Sequence, residues 1–294
     1  MLASMNTAYR SGAILLIGVC VFRLITSSTA FCEKVDHRCW MERAELALQD
    51  RFSLEHMEEA IASYEELLPQ LESLPLNLQA TALNRLAQLH YEQTLFSPEE
   101  KLTNHASHCQ GKEYGIRSLR LNPTFAALEE HDFNQAVAAV TDTAALVWTA
   151  HNWGALLNCD PINGILYICK VRALYERCIE IDESYWGASA HSALGAVLIA
   201  LPAALGGNVD RGREHLERAI ELAPEYLENR VAYAKYWGFN FDLLGNKNGI
   251  RDAKLIASQL AHVLEAPIGD WPLWNRMAKL EAKKLLAELH AMHH

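Results

Sequence analysis

Apolar residues recur at i, i+3, i+4 and i+7 through most of the chain, and short Pro, Gly or Asn breaks separate these runs. That period puts the apolar side chains on one helix face, so the pattern predicts stacked amphipathic helices. Strand-like alternation is nearly absent, and the expected class is all-α. The prolines fall in the breaks, where a residue without an N–H can start or stop a helix but not continue one. Three predicted helices, "LQATALNRLAQLHYEQ", "DTAALVWTAHNWGALL" and "YWGASAHSALGAVLIAL", each precede a second, more charged one.

The second helices align with one another. Their ends read "RSLRLNP" (Arg117–Pro123), "RCIEIDE" (Arg177–Glu183) and "RAIELAP" (Arg218–Pro224). The aligned small position is Ser118, Cys178 or Ala219, with Gly111, Val171 or Gly212 seven residues earlier. Tyr175 and Leu216 lie three residues before Cys178 and Ala219. Small residues let two helices approach closely, and a large one fills the groove between them. This spacing, closed by Pro224 in the last copy, resembles the second helix of a tetratricopeptide repeat. Cys178 is then expected as a packed free thiol. A more divergent copy runs from Glu58 to Pro75, with Ala60, Tyr64 and Leu67 in the equivalent places. The expected architecture is a TPR-like α-solenoid of about four helical hairpins, with a capping helix over 271–290 whose lysines face solvent. A single helical domain over 31–294 follows, with degenerate hairpins over 36–125 and a better-patterned region over 144–290.

The stretch "LIALPAALGGNVDRGREHLERAI" (Leu198–Ile220) joins an apolar helix to a charged one. Gly206 and Gly207 before a helix could cradle an anion on free N–H groups. No strand precedes them and no GxGxxG or GxxxxGK follows, so Pro202, Gly206, Gly207 and Asn208 are expected to form a turn. The turn needs positive φ and is closed by a polar cap, Asn208 or Asp210.

Charge and termini narrow the function. The 294-residue chain carries a formal net charge of −10. An acidic surface repels phosphate backbones, and nucleic acid is not an expected partner. Near the start, Arg10 precedes an apolar run from Gly12 to Phe22, and Ser28 and Ala30 fit a signal peptidase site. Residues 1–30 are expected to be a signal peptide, and the chain to be exported and periplasmic. The run is shorter than the roughly 20 residues of a membrane span, which argues against an uncleaved anchor. Val19 and Phe31 are poor residues before a lipidated cysteine, which argues against a lipid tether. Cys32, Cys39, Cys109, Cys159, Cys169 and Cys178 remain after cleavage. Export permits disulfides, with Cys32–Cys39, or either with Cys109, the first candidates.

From about Ala144 to Leu286 the chain resembles the T-component family of TRAP transporters. The residues that carry this are "LVWTAHNWGALL" (Leu146–Leu157), "GASAHSALGAVLIALPAALGGNVDRGREHLERAIELAPEY" (Gly187–Tyr226) and "LWNRMAKLEAKKLLAEL" (Leu273–Leu289). The resemblance implies an exported helical protein that accompanies a TRAP-type periplasmic solute-binding protein. It also implies a small apolar or organic-acid ligand, no enzymatic activity and no cofactor; self-association is open. A helical scaffold of this kind acts by presenting a groove. Trp148 and Asn152 are four residues apart and share a face, while Trp153 points elsewhere. The helix Ala193–Gly207 is apolar all round, and its small Gly195 leaves room beside it. Trp148, Asn152, Trp153 and Gly195 are the candidate cavity residues. Packing between repeats is the competing role for the tryptophans.

Other chemistry finds little support. "HASHC" (His105, His108, Cys109) and the terminal "HAMHH" (His290, His293, His294) hold metal-compatible residues without an identifiable partner, and no metal site is expected. Adjacent glutamates such as Glu65 and Glu66 diverge on a helix and cannot act as an acid/base pair. No GxSxG, HExxH or Cys–His arrangement orders the histidines, so a hydrolase is disfavoured. The main alternative is a TPR scaffold that assembles cell-envelope proteins and binds no small molecule.

Overall fold

The computed structural model describes residues 37–49, 52–98, 100–159, 161–242 and 247–293. The expected signal peptide, Cys32 and the side chain of Cys39 lie outside what is described. Residues His37 to His294 belong to one compact unit. Its helices are α1 (His37–Gln49), α2 (Leu54–Glu65), α3 (Leu76–Glu92), α4 (Lys101–Leu119), α5 (Pro123–Leu128), α6 (Phe133–Ala138), α7 (Thr143–Cys159), α8 (Pro161–Ile181), α9 (Tyr185–Ala200) and α10 (Val209–Leu222). Then come α11 (Glu228–Ala232), α12 (Ala253–Glu265) and α13 (Pro272–His293). The fold is all-α apart from one antiparallel hairpin, β1 (Phe239–Phe241) with β2 (Lys247–Ile250).

Helices pack on their sequence neighbours: α1 on α2, α3 on α4, α7 on α8, α9 on α10 and α12 on α13. Cross-packing of α4 and α3 on α7, and of α8 on α9, joins the pairs. The α9–α10 pair shows how the spacing works. A Cβ on Gly195 would lie 2.7 Å from the carbonyl oxygen of Gly212, and a Cβ on Gly212 2.8 Å from that of Gly195. The two backbones therefore touch, with Leu216 and Ala219 fully buried beside the crossing. Tyr175 and Cys178 are buried in the same way on α8, and burial pushes the Cys178 thiol up to about 12. Cys109 and Cys169 are also free thiols, so Cys109 forms no disulfide.

The turn before α10 is built from local instructions. Pro202 opens a short 3₁₀ turn (Ala203–Leu205), and Gly206 closes it at φ +85°. A Cβ on Gly207 would sit 1.8 Å from the carbonyl oxygen of Leu201, so only glycine fits. The Asn208 side chain caps α10 by accepting from the Arg211 N–H at 3.0 Å. Pro224 follows the end of α10 and leads to α11.

Three features depart from the sequence pattern. The β-hairpin and α12 stand where no separate element is expected, between the fourth helical pair and the capping helix. Residues Tyr233–Trp237 form a π-helical turn. Finally, "YWGASAHSALGAVLIAL" is not one right-handed helix. Trp186, Gly187 and Ala188 have φ values of 49°, 66° and 58°, a left-handed turn ahead of the regular part of α9. Two of these residues carry a Cβ, at a cost of roughly 1–2 kcal/mol each. The turn is held from outside: Asn229 Nδ2 donates to the Gly187 and Ala219 carbonyls at 2.8 and 2.9 Å. Gly187 packs so closely on Tyr226 that a Cβ there would approach the ring to 2.5 Å.

The main core runs from α1 through α9 and takes in Leu273 and Trp274 of α13. A second core joins α11, β1, α12 and α13 through Leu227, Val231, Phe239, Ile256, Leu260 and Leu285.

Candidate functional site

Helix α7 supplies the centre of the molecule's aromatic cluster because "VWTAHNW" places Trp148, His151 and Asn152 on its inner side. Trp148 is 1% exposed and contacts Tyr91 of α3 (ring centroids 6.2 Å), Trp186 in the left-handed first turn of α9 (5.0 Å) and Trp274 of α13 (6.4 Å). Tyr91 also meets His108, His151 and Trp274. Trp271 bridges Trp186 and Tyr226. Edge-to-face and offset ring pairs of this kind add about 0.5–1.5 kcal/mol each beyond their buried area. Residues from α3, α7, α9 and α13 thus meet around one indole, and His108 of α4 joins them through Tyr91.

Polar groups are threaded through this cluster. The fully buried Glu92 accepts from Trp274 Nε1 at 2.9 Å and from Gln88 Nε2 at 3.0 Å. His151 bonds Tyr175 Oη at 2.8 Å through Nδ1 and Ser189 Oγ at 3.2 Å through Nε2. Burial drives its imidazole down to about 3, so it is neutral. Burial raises the Glu228 carboxyl to about 7, although Lys235 opposes the shift. Lys235 Nζ donates to Glu281 at 3.1 Å. Tyr91 feels Glu228, Tyr236 and Lys235, so this charged group borders the aromatic cluster. The indole nitrogen of Trp186 is buried and has no acceptor. A buried donor without a partner costs about 1–3 kcal/mol.

A sequence comparison decides the lineage. The model of the family described as TRAP transporter T-component matches residues 92–293, more than half of the chain. The chain belongs to this family. No curated protein matches it. The T-component family is a transporter-component family and not an enzyme family.

The T-component's four expected cavity residues occupy three different environments. Trp148 is the aromatic centre described above. Asn152 is fully buried, and its Nδ2 donates to the carbonyls of Ala87 (2.8 Å) and Trp148 (2.9 Å). Its Oδ1 lies 3.3 Å from His108 Nδ1, so the amide ties α3, α4 and α7 together. Gly111 makes room for it, since a Cβ there would come within 2.3 Å of Oδ1. Trp153 is on another face, against Phe133 and Tyr167, with the ammonium groups of Lys112 and Lys170 each 5.7 Å from its ring. Gly195 belongs to the α9–α10 crossing, beside Gly212 and Leu216.

Sequence reasoning missed Tyr91, Trp186, Trp271, Trp274 and Glu228. Each lies at or beyond a helix end, or in a divergent repeat, where periodicity gives no signal. Gly187 beside Trp186 was the one available hint of an irregular backbone. Of the histidine candidates, His108 is buried against Asn152, and Cys109 Sγ lies 3.8 Å from His105 Nδ1. Among the described residues no three metal-compatible side chains converge. No helix of the described residues is long and apolar enough to cross a membrane.

Proposed function

We propose that this T-component is an exported, non-catalytic accessory of a TRAP transport system. It presents a helical surface to the periplasmic solute-binding protein and holds a small apolar or organic-acid ligand at the aromatic centre around Trp148. Family membership supports the transport role. The observation that carries the ligand reading is the buried, unpartnered indole N–H of Trp186 within a shell of Trp148, Tyr185 and Trp271. Rings supply apolar contact, and a ligand carboxylate or carbonyl would supply the missing acceptor. Lys235 and Glu228 extend the polar side of the same region.

Native mass spectrometry of the purified chain, with a pull-down against the solute-binding protein encoded beside it, tests both halves. A bound small molecule that is lost in Trp186→Phe, together with capture of the receptor, is the expected result. A ligand-free chain that captures no receptor would overturn the proposal and leave an envelope scaffold.

A further inference from the structure

On the side of α9 away from the aromatic cluster, two histidines face each other across the helix pair. His191 of α9 and His215 of α10 place their Nδ1 atoms 2.8 Å apart, with ring centroids at 5.0 Å. That centroid distance is close to the maximum that a 2.8 Å contact allows, so the two nitrogens meet head-on. Head-on nitrogens at this distance must share one proton: two lone pairs repel, and two N–H groups clash.

The surroundings fix which ring holds it. His191 is 6% exposed, and its Nε2 is buried without a hydrogen-bond partner, the carboxylate oxygen Oε2 of Glu183 lying 3.4 Å away. A bare lone pair there would face a carboxylate, so Nε2 carries the hydrogen and Nδ1 of the neutral ring is the acceptor. His215 must then donate from Nδ1, which leaves its Nε2 lone pair bare. Glu183 is itself held by Arg218 of α10, Nη2 to Oε1 at 2.6 Å. The relay borders a groove of about 420 Å³ lined by His191, Glu214, His215, Glu217, Arg218 and Glu221.

We propose that Glu183, His191 and His215 form a one-proton latch. It fastens the first turns of α9 to α10 as long as His191 stays neutral, because a proton added at the bare Nε2 of His215 leaves the Nδ1–H···Nδ1 bond in place and charge-assisted. It opens that end of the pair when His191 Nδ1 is protonated as well. The neighbouring charges set its sensitivity. Glu183 and Arg218 act on His191, and Arg211 and His191 act on His215. Glu214, Glu217 and Glu221 face the groove, and the π-helical turn adds Tyr233, which donates to Glu217 at 2.6 Å. From α7, His151 reaches α9 at Ser189. Burial holds both rings below the ordinary histidine range, so the latch is closed near neutrality. Opening has a defined place to go. One turn away the Gly195–Gly212 crossing is in backbone contact, while on the other side α9 runs into the left-handed turn at Trp186–Ala188. The latch does not depend on the ligand reading above.

Long-range nitrogen–proton correlation NMR on the labelled full chain reads the tautomers directly. At pH 7 the expected result is His191 protonated at Nε2, His215 protonated at Nδ1, and a scalar coupling between the two Nδ1 atoms. On acidification through about 4, where burial and the neighbouring His191 place His215, the coupling should survive the charging of His215 and vanish only when His191 is charged as well. Amide exchange in 189–195 should then accelerate relative to α12. A His215 protonated at Nε2, or a charged ring at pH 7, would overturn the latch. So would a coupling that is lost when His215 is charged and His191 is still neutral.

Discussion

Gly195→Ala adds one methyl group to α9, at a point where two helices already touch. The new Cβ would lie 2.7 Å from the Gly212 carbonyl oxygen, 2.8 Å from Leu216 Cγ and 3.2 Å from Leu216 Cδ2. Carbon contacts are optimal at about 3.5–4.0 Å, so α10 must retreat by several tenths of an ångström. The first obstacle is backbone and cannot rotate away. Overpacking of this kind costs about 1–3 kcal/mol, and the upper half of that range applies here. Alanine returns about 1 kcal/mol through its better helix propensity, so the net loss should be about 1–2 kcal/mol. Gly154→Ala on α7 is the matched control. Its Cβ would meet Tyr175 Oη and Val171 Cγ1 at 3.6 Å each, which is ordinary contact. Only the propensity gain remains, and that variant should be more stable by up to about 1 kcal/mol. The same chemical change thus has opposite signs at two helical sites. The two variants should differ by about 2–3 kcal/mol, or roughly 5–10 °C in Tm for a chain of this size. Urea and thermal unfolding of both proteins read the difference. Gly195→Ala as stable as wild type, or both variants shifting the same way, would refute the close-contact argument.

Acid should weaken the fold through its buried histidines. Burial lowers His90 and His215 to about 4 and His151 to about 3, so the unfolded chain binds more protons between pH 6.5 and those values. The histidine contribution is therefore complete above about pH 6.5 and is lost as the pH falls through that window, His90 alone accounting for about 3 kcal/mol. Urea midpoints at pH 7 and 5 check this, and equal midpoints would contradict it. Glu228 acts with the opposite sign. Its carboxyl is raised to about 7, so its contribution is present at low pH and is lost as the pH rises through 7. Glu228→Gln should be more stable than wild type at pH 8 and show little difference at pH 5, as read by paired melts. Asn152→Ala strips the Ala87 carbonyl of its donor and should cost about 2–4 kcal/mol in urea unfolding, of which about 1–3 is the orphaned group. A loss under 1 kcal/mol would mean that water replaces the amide.

How far the site could be read from sequence depended on how local each signal is. Spacing alone made Trp148 and Asn152 neighbours on one helix face, because residues four apart share a face whatever surrounds them. What Asn152 bonds is set by α3 and α4, since Ala87 and His108 lie 65 and 44 residues away along the chain. Gly195 shows the same division. Its smallness is visible in the sequence, and apolar neighbours suggested room beside the helix. Close approach by α10 fills that space, because Gly212 and Leu216 come to it from the next helix. The apolar period places Trp186 in a regular helix. Its left-handed backbone is held by Asn229, 42 residues away from the Gly187 carbonyl it bonds, and no local pattern contains that information.

The sequence by itself determined the helical class, the family and the punctuation of the chain. Apolar period, proline positions and capping residues act over a few residues, and their physics needs no partner. Tertiary structure decided what gathers around Trp148 and how α9 begins. It also decided that His191 meets His215 across the helix pair. Those outcomes depend on which distant surfaces come together when the helices bury their apolar faces, and burial then fixes the protonation of the histidines and of Glu228. A chain can state that a helix exists and where it stops. Only its packed neighbours state what that helix touches and what charge its buried groups carry.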